Sequence, residues 1–429
     1  MLNFKKISLF IFGYILAITV AWGQAARSPF SYLGIGEPFS NALTHNQGMA
    51  GVGISNPQYF YLNNQNPALL VFNRFTVFEG GFIGERRTTK GNGLSETSGS
   101  GNLNYLITAL PAKLGRWTTS LGIMPYSSVN YNLNYIDSIV GSATNTVSVK
   151  ESGEGGIDQF FWSNGVVLNK NFSIGLKAKY LFGSVIRQYS NTLTSTNQPT
   201  PYLPTIYTRN YIKDFNFTAG FSFHKDSLLG RKNYQINIGA VYDLKANLNT
   251  EYYARMERRN SSSGIVDSTT IINNIPGSIS VPSSLSAGIS FAKGYYWVVG
   301  ADFTYLDYRK FRDFNGETPA WGAEGWKVSL GTEFTPDPAA VGSYLKRMTY
   351  RTGVNYDKYP YLINGNLVRD FGINFGFSMP VARFSSLDFA LKVGKRGNQK
   401  ENIIEENYFK IYFGMTFNDD QWFRKRRFD

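Results

Sequence analysis

The chain has 429 residues, no cysteine and a net charge of +13, from 43 Lys and Arg against 30 Asp and Glu. The absence of cysteine excludes a lipoprotein anchor, a disulfide framework and thiolate metal sites. This excess of positive charge is compatible with nucleic-acid binding, but the N-terminal sequence predicts export of the protein. We therefore expect no nucleic acid, and instead outer-membrane lipid and lipopolysaccharide phosphates as partners; solvated basic loops explain the charge equally well.

Residues 1–23 are typical of a signal peptide. Lys5 and Lys6 supply the positive start, an apolar run follows, and Gly23 ends a cleavage site of small residues. The alternative is a transmembrane anchor, but the apolar run is short for a span of about 20 residues. No later segment approaches a hydrophobic helix, so a mature chain in a membrane must cross it as strands.

Residues 24–72 contain many Gly, Asn and Pro residues and do not alternate between apolar and polar positions. Such a composition favours turns and irregular backbone. This segment is either a floppy periplasmic leader or an N-terminal hatch or plug folded into the mouth of a barrel. Inside a barrel, its small residues would allow close packing, and a polar lumen would satisfy its backbone groups.

Residues 73–418 alternate with a period of two, as strands with one apolar face do. In the last segment, Phe409, Ile411 and Phe417 occupy one face, and Tyr408 and Lys410 the other. We predict fourteen such strands, at 73–84, 102–112, 115–127, 156–169, 171–187, 209–223, 232–247, 282–292, 295–308, 323–335, 347–357, 367–380, 384–395 and 407–418.

The connections between these strands alternate between long and short. Long loops are expected at 85–101, 128–155, 188–208, 248–281, 309–322, 358–366 and 396–406. Long extracellular loops and short periplasmic turns are typical of outer-membrane barrels. The fold class is therefore all-β, a transmembrane antiparallel β-barrel of about 14 strands in the cell outer membrane, followed by a basic periplasmic tail at 419–429. A soluble β-sandwich is the rival, but it does not explain the alternating loop lengths.

Both ends of the mature chain resemble a known family. The pattern Gly-x-Ala-Gly-x-Gly, from Gly48 to Gly53, is followed by Asn66-Pro67-Ala68 and then by the first strand. This order resembles the start of the FadL/TodX long-chain fatty acid transporter family. The Ser-Pro-Phe-Ser-Tyr opening at 28–32 and the basic tail resemble FadL-like outer-membrane proteins of Bacteroidota. The resemblance implies a fourteen-stranded barrel with an N-terminal hatch in its lumen.

Two sites follow from this resemblance. Asn66, Pro67 and Ala68 match the hatch motif, which implies a hatch that shifts to let ligand pass; an ordinary Pro turn is the alternative. Pro125 lies in the third predicted strand, where a proline marks a bulge, a kink or an edge. In the family, a kink in that strand opens a lateral exit through the wall. The alternative is that the third strand simply ends there.

The predicted lumen face departs from the family pattern because it is charged. A fatty acid channel should have an apolar pocket with few polar groups. Mixed charges indicate either ion pairs that hold the plug or a polar conduit. The predicted lumen positions are Lys177, Lys179, Asp302, Lys327, Glu333, Arg351, Asp370, Asp388, Lys392 and Lys410.

No enzyme signature, cofactor motif or metal-ligand pattern stands out, and the chain has two histidines, His45 and His224. We therefore expect a barrel that mediates passive uptake of small hydrophobic compounds, such as fatty acids or aromatics. The alternative is a non-transporting FadL-like barrel that acts, with an outer-membrane protein partner, as an accessory subunit of a secretion or assembly complex.

Overall fold

A computed structural model describes residues 25–91, 93–138, 146–193, 202–228, 231–260, 264–382, 385–402 and 404–419. The predicted signal peptide and the predicted tail from residue 420 lie outside the described residues. The strands of the described chain are β1 Glu37–Pro38, β2 Thr76–Gly91, β3 Leu94–Lys113, β4 Trp117–Ser138, β5 Thr146–Val167, β6 Phe172–Leu193, β7 Leu203–Leu228, β8 Arg231–Asp243, β9 Ala246–Arg259, β10 Ile265–Val281, β11 Ser284–Lys293, β12 Trp297–Asp307, β13 Glu324–Phe334, β14 Thr349–Ile363, β15 Asn366–Ala382, β16 Ser385–Gly397 and β17 Ile404–Asp419.

The strands from β2 to β17 form a closed antiparallel barrel, because β17 pairs with β2 along its whole length. Strand β7 pairs with β8 along one part of its length and with β9 along another. On the other side, β8 pairs with β11 and β9 pairs with β10. β8 with β9, and β10 with β11, are therefore two interrupted strands. The barrel thus has fourteen strands, and the predicted fold class and strand count are confirmed.

The two faces of the wall follow the predicted alternation. In β17, Phe409, Ile411 and Phe417 are each more than 40% exposed, whereas Tyr408 and Tyr412 are buried. The exposed face continues around the barrel as a band of Phe, Ile, Leu and Tyr side chains. This band faces lipid, because a sheet presents successive side chains to opposite faces and the other face is filled by protein.

The strands run further at one end of the barrel than the sequence predicts. Most of the predicted long loops at 85–101, 128–155, 188–208 and 248–281 are strand, and 358–366 is a tight hairpin. Asn364 and Gly365 have φ of 52° and 73°, as the central residues of a two-residue turn do. These predictions were wrong because a strand beyond the lipid has two polar faces and loses the period-two signal.

The remaining elements are short. Helical turns lie at Pro29–Tyr32, Thr44–Gln47, Pro67–Phe72, Tyr308–Lys310, Tyr344–Arg347 and Gln399–Asn402. Across the described residues, none of the helices has the length and apolar character needed to span a bilayer.

Residues 25–75, here called the inner segment, lie inside the barrel. The segment contacts strands on all sides of the lumen, including β4, β6, β12 and β15. Its apolar side chains, among them Leu43, Leu62 and Leu70, pack with inward residues of the wall such as Phe161. The segment descends from the end with the extended strands, which we assign as extracellular, to the start of β2 at the periplasmic end.

Candidate functional site

Ten inward-facing glycines of the wall lie against the inner segment. A Cβ atom at Gly353 would lie 2.6 Å from the Met49 carbonyl carbon, and one at Gly376 would lie 2.8 Å from the Gly48 Cα. We call this set the glycine belt. It consists of Gly165, Gly175, Gly220, Gly239, Gly288, Gly300, Gly331, Gly353, Gly376 and Gly414.

Members of the glycine belt face one another across neighbouring strands. Gly165 pairs with Gly175, which in turn pairs with Gly220, and Gly331 pairs with Gly353. A glycine in a strand often marks a place where another backbone approaches closely. The glycine belt therefore allows the inner segment to pack directly against the backbone of the wall, with no room for a wall side chain between them.

The predicted hatch motif is held at both of its ends. The Asn66 side chain accepts a hydrogen bond from Ala68 N at 3.0 Å and donates to Phe221 O at 3.0 Å and to Ile54 O at 2.8 Å. Ala68 O accepts from Ser173 Oγ at 2.9 Å. Asn66, Pro67 and Ala68 are buried, and Pro67 packs on Gly175 and Gly220. The motif thus begins a short helical turn that is anchored to β6 and β7.

Two of the predicted lumen residues bind the backbone of the inner segment. Asp302 Oδ2 accepts hydrogen bonds from Gly53 N at 2.7 Å and Ile54 N at 2.9 Å. Lys177 Nζ donates to the backbone oxygen of Asn64 at 2.5 Å and to its side-chain oxygen at 2.8 Å. A buried backbone N–H or C=O without a partner costs about as much as a lost hydrogen bond. These side chains therefore fix irregular backbone that no strand satisfies.

Glu37 on β1 is the centre of a buried ion-pair network. Its carboxylate lies 2.8 Å from Arg87 Nη1 and 2.9 Å from Arg396 Nη1. Arg396 also pairs with Asp370 at 3.0 Å, and Arg87 with Glu85 at 3.0 Å. Burial alone would raise the pKa of Glu37, but Arg396 and Arg87 hold it well below its ordinary value. Glu37 is therefore ionised at neutral pH and links the inner segment to β2 and β16.

A second polar cluster lies near the helix Thr44–Gln47. Arg351 pairs with Glu333 at 2.7 Å, and its guanidinium stands over the Tyr61 ring at 5.2 Å. The His45 ring stacks on the same Tyr61 ring, with 4.8 Å between the ring centroids. Asp388 accepts hydrogen bonds from three wall hydroxyls, those of Ser378, Ser386 and Thr416.

His45 makes the stability of the protein sensitive to acid. Burial, followed by repulsion from Arg351, lowers the pKa of His45 to about 4, although Glu79 Oε1 lies 3.6 Å away. Its pKa in an unfolded chain is about 6.5. The unfolded state therefore binds a proton first as the pH falls, and stability decreases between about pH 6.5 and pH 4.

We expect wild type to lose about 2 kcal/mol of unfolding free energy between pH 7.5 and pH 5 through His45 alone. His45→Phe keeps a ring on Tyr61 and removes the titration, and neither ring nitrogen of His45 makes a hydrogen bond in the described structure. Urea unfolding in detergent micelles at both pH values measures the difference. An equal loss in both proteins would contradict the assignment.

The other predicted lumen lysines line a polar cavity of about 350 Å³ between the inner segment and the wall. Lys179 pairs with Asp243 at 2.8 Å, and Lys392 stands over the Tyr408 ring at 5.6 Å. Lys327 stands over Tyr359 at 5.5 Å. Since ligand pockets for apolar compounds are mostly apolar, this cavity does not resemble one.

Pro125 lies beside a split in the wall. Strand β4 continues to Ser138, so the alternative that it ends at Pro125 is wrong. Its pairing with β3 runs from Lys113 and Trp117 to Leu106 and Ile123, and a register shift against β5 follows at Pro125.

Beyond that point, the inner segment takes the place of β3 beside β4. Strand β1 pairs with β4, Phe39 N donates to Tyr126 O at 2.9 Å, and Ser28 N donates to Asn130 O at 2.8 Å. A space of about 930 Å³ remains between the upper parts of β3 and β4, lined by polar side chains such as Arg27, Glu96 and Lys150. The inner segment thus covers the β4 side of the split, and this polar space remains on its β3 side.

The structure brings the predicted lumen residues to the lumen, where they contact either the inner segment, as Lys177 and Asp302 do, or other residues of the wall, as Lys179 and Asp388 do. Sequence reasoning missed the glycine belt and Glu37. Glycine at inward positions of regular strands, such as Gly220 and Gly376, was the available signal for the belt. No local pattern marks Glu37, because its partners Arg87 and Arg396 are 50 and more residues away.

The closed barrel with a segment inside it defines the chain as a FadL-like outer-membrane barrel, as predicted. Similar solved structures are the Pseudomonas putida toluene transporter TodX (TM-score 0.57, 14% identity, 89% of this chain and 98% of that chain) and the CymD monoaromatic hydrocarbon channel (0.55, 15%, 89% and 99%). A Pseudomonas aeruginosa FadL homologue is similar too (0.56, 12%, 90% and 99%). At these identities the likeness shows the fold alone.

A family model described as BamG matches residues 3–429. The chain therefore belongs to the BamG family. No curated protein matches its sequence.

Proposed function

We propose that this protein is a non-transporting FadL-like barrel that works through protein contacts, as an accessory subunit of an outer-membrane secretion or assembly complex. The observation that carries the proposal is the packing of the inner segment on the glycine belt, at backbone distance and on ten strands. Membership in the BamG family favours the same role.

The energetics of the lumen support this proposal. For a ligand to pass, the inner segment would have to leave the belt, break the Glu37 ion pairs and free the Gly53 and Ile54 amides from Asp302. Breaking one buried ion pair alone costs about 3–5 kcal/mol. Such costs suit a permanent plug better than a hatch that opens in every transport cycle.

The rival function is passive uptake of a small hydrophobic compound. The fold that the chain shares with the toluene transporter TodX and the CymD channel favours it, and so does the presence of a cavity beside the inner segment. The polar lining of that cavity, with Lys179, Asp243 and Asp302, does not favour an apolar ligand.

A flux measurement separates the two functions. Purified protein in liposomes should pass a labelled fatty acid or toluene no faster than empty liposomes. A variant that lacks residues 25–68 serves as the control for an open lumen and should pass small solutes. Saturable flux through the wild type, lost when Gly48–Ile54 is cross-linked to the wall, would overturn the proposal and support uptake.

A further inference from the structure

Lys358 of β14 and Arg369 of β15 lie directly opposite each other in the wall. Like charges at directly opposed positions of an antiparallel pair repel each other, because their Cβ atoms are about 5 Å apart. Within the described part of the chain, neither side chain forms an ion pair or a hydrogen bond.

The two cations face outward, at the border of the lipid-facing band. On the same face, β14 carries Tyr356 and β15 carries Phe371, and both side chains are exposed. Trp326 pairs with Lys358 across β13 and β14, and its ring lies 5.5 Å from the Tyr356 ring. Aromatic side chains with a polar atom are typical of the membrane interface.

A third cation extends the same patch. Lys395 of β16 lies opposite Phe371, one diagonal step from Arg369, and pairs with Glu405 at 3.0 Å. Together with Lys358 and Arg369 it gives three cations. Two carboxylates lie one diagonal step from members of this patch, but each pairs with a cation other than Lys358 and Arg369, Glu405 with Lys395 and Glu324 with Arg309. The patch lies next to the Asn364–Gly365 turn, at the extracellular end of the barrel, where the headgroups of the outer leaflet lie.

We propose that Lys358 and Arg369 bind a phosphate group of an outer-leaflet lipopolysaccharide. A guanidinium binds a phosphate through two parallel hydrogen bonds, and an ammonium binds it as a point charge. A phosphate between the two side chains would turn their mutual repulsion into attraction. The apolar band below them would contact the acyl chains of the same lipid, and Trp326 and Tyr356 would contact its sugars.

Native mass spectrometry of the intact barrel can test the site with purified diphosphoryl lipid A as the probe. The double variant K358Q/R369Q is compared with K113Q/R116Q, which removes the same charge from the turn at the periplasmic end. We expect K358Q/R369Q to weaken lipid A binding at least about 10-fold, because losing a hydrogen bond to a charged group reduces affinity by about that factor. K113Q/R116Q should weaken it less than about 2-fold. Unchanged heat-modifiable mobility on gels confirms that each variant is folded.

Two further probes identify the source of the phosphate. Dephosphorylated lipid A should bind the wild type as weakly as diphosphoryl lipid A binds K358Q/R369Q. Equal weakening by the two double variants, or equal binding of lipid A with and without phosphate, would overturn the site. Phosphatidylglycerol binding as tightly as lipid A, or displacement of lipid A by millimolar inorganic phosphate, would overturn the lipopolysaccharide assignment.

Discussion

Replacing Gly331 and Gly353 by alanine should lift the inner segment from the wall. The two glycines are cross-strand partners, and a Cβ at either position would overlap the backbone of Met49. Overpacking of this kind costs about 1–3 kcal/mol for each site, and neighbouring sites are not additive. We therefore expect the state in which the inner segment has left the wall to become about 10- to 100-fold more populated.

A single cysteine can report this displacement, since the chain has none. Ser55→Cys is close to isosteric, and Ser55 is fully buried in the inner segment. Its labelling rate with a small thiol reagent should rise in the double alanine variant. Gly84→Ala is the matched control, because a Cβ there meets nothing within 4 Å. An unchanged labelling rate in the Gly331 and Gly353 variant would contradict tight packing on the belt.

Glu37→Ala should cost the protein about 3 kcal/mol of unfolding free energy, the lower end of what breaking a buried ion pair costs. The lower end applies because Arg87 and Arg396 keep other carboxylates, Glu85 and Asp370, after the change. Urea unfolding of the refolded barrel in detergent micelles measures it. The matched control is Glu96→Ala, whose pair with Arg27 is exposed and contributes about 0–1 kcal/mol.

The pH dependence of this difference follows from the lowered pKa of Glu37. The stabilisation is complete above the unfolded pKa of about 4.5 and is lost as the pH falls through the lower folded value. Wild type and Glu37→Ala should therefore differ by a constant amount from pH 8 to pH 5 and converge only in stronger acid. A difference that already disappears near pH 6 would mean that Glu37 is not held ionised by Arg87 and Arg396.

The sequence predicted the fold because a barrel wall in lipid imposes a strict local pattern. Phe409, Ile411 and Phe417 must be apolar wherever β17 meets lipid, and this demand repeats in every strand. Where the strands extend beyond the lipid, as in β9 and β10, neither face needs apolar residues. The same residues then look like a loop although they form a hairpin.

The interior was harder to predict, because its contacts join residues far apart in sequence. Asp302 could be assigned to the lumen face from alternation, but not to the amides of Gly53 and Ile54, which lie about 250 residues earlier. A register shift against β5 lies at Pro125. Beyond Pro125, the inner segment pairs with β4. This pairing could not be predicted, because no local signal specifies the register between such distant segments.

The most direct test of the proposed function is the native mass of the tagged, full-length protein after gentle detergent extraction from its own outer membrane. We predict a stoichiometric complex in which each copy carries at least one other outer-membrane protein, and in which Ser55→Cys remains unreactive because the inner segment stays in place. Recovery of the barrel alone, at the mass of a single chain with bound lipid, would contradict the account.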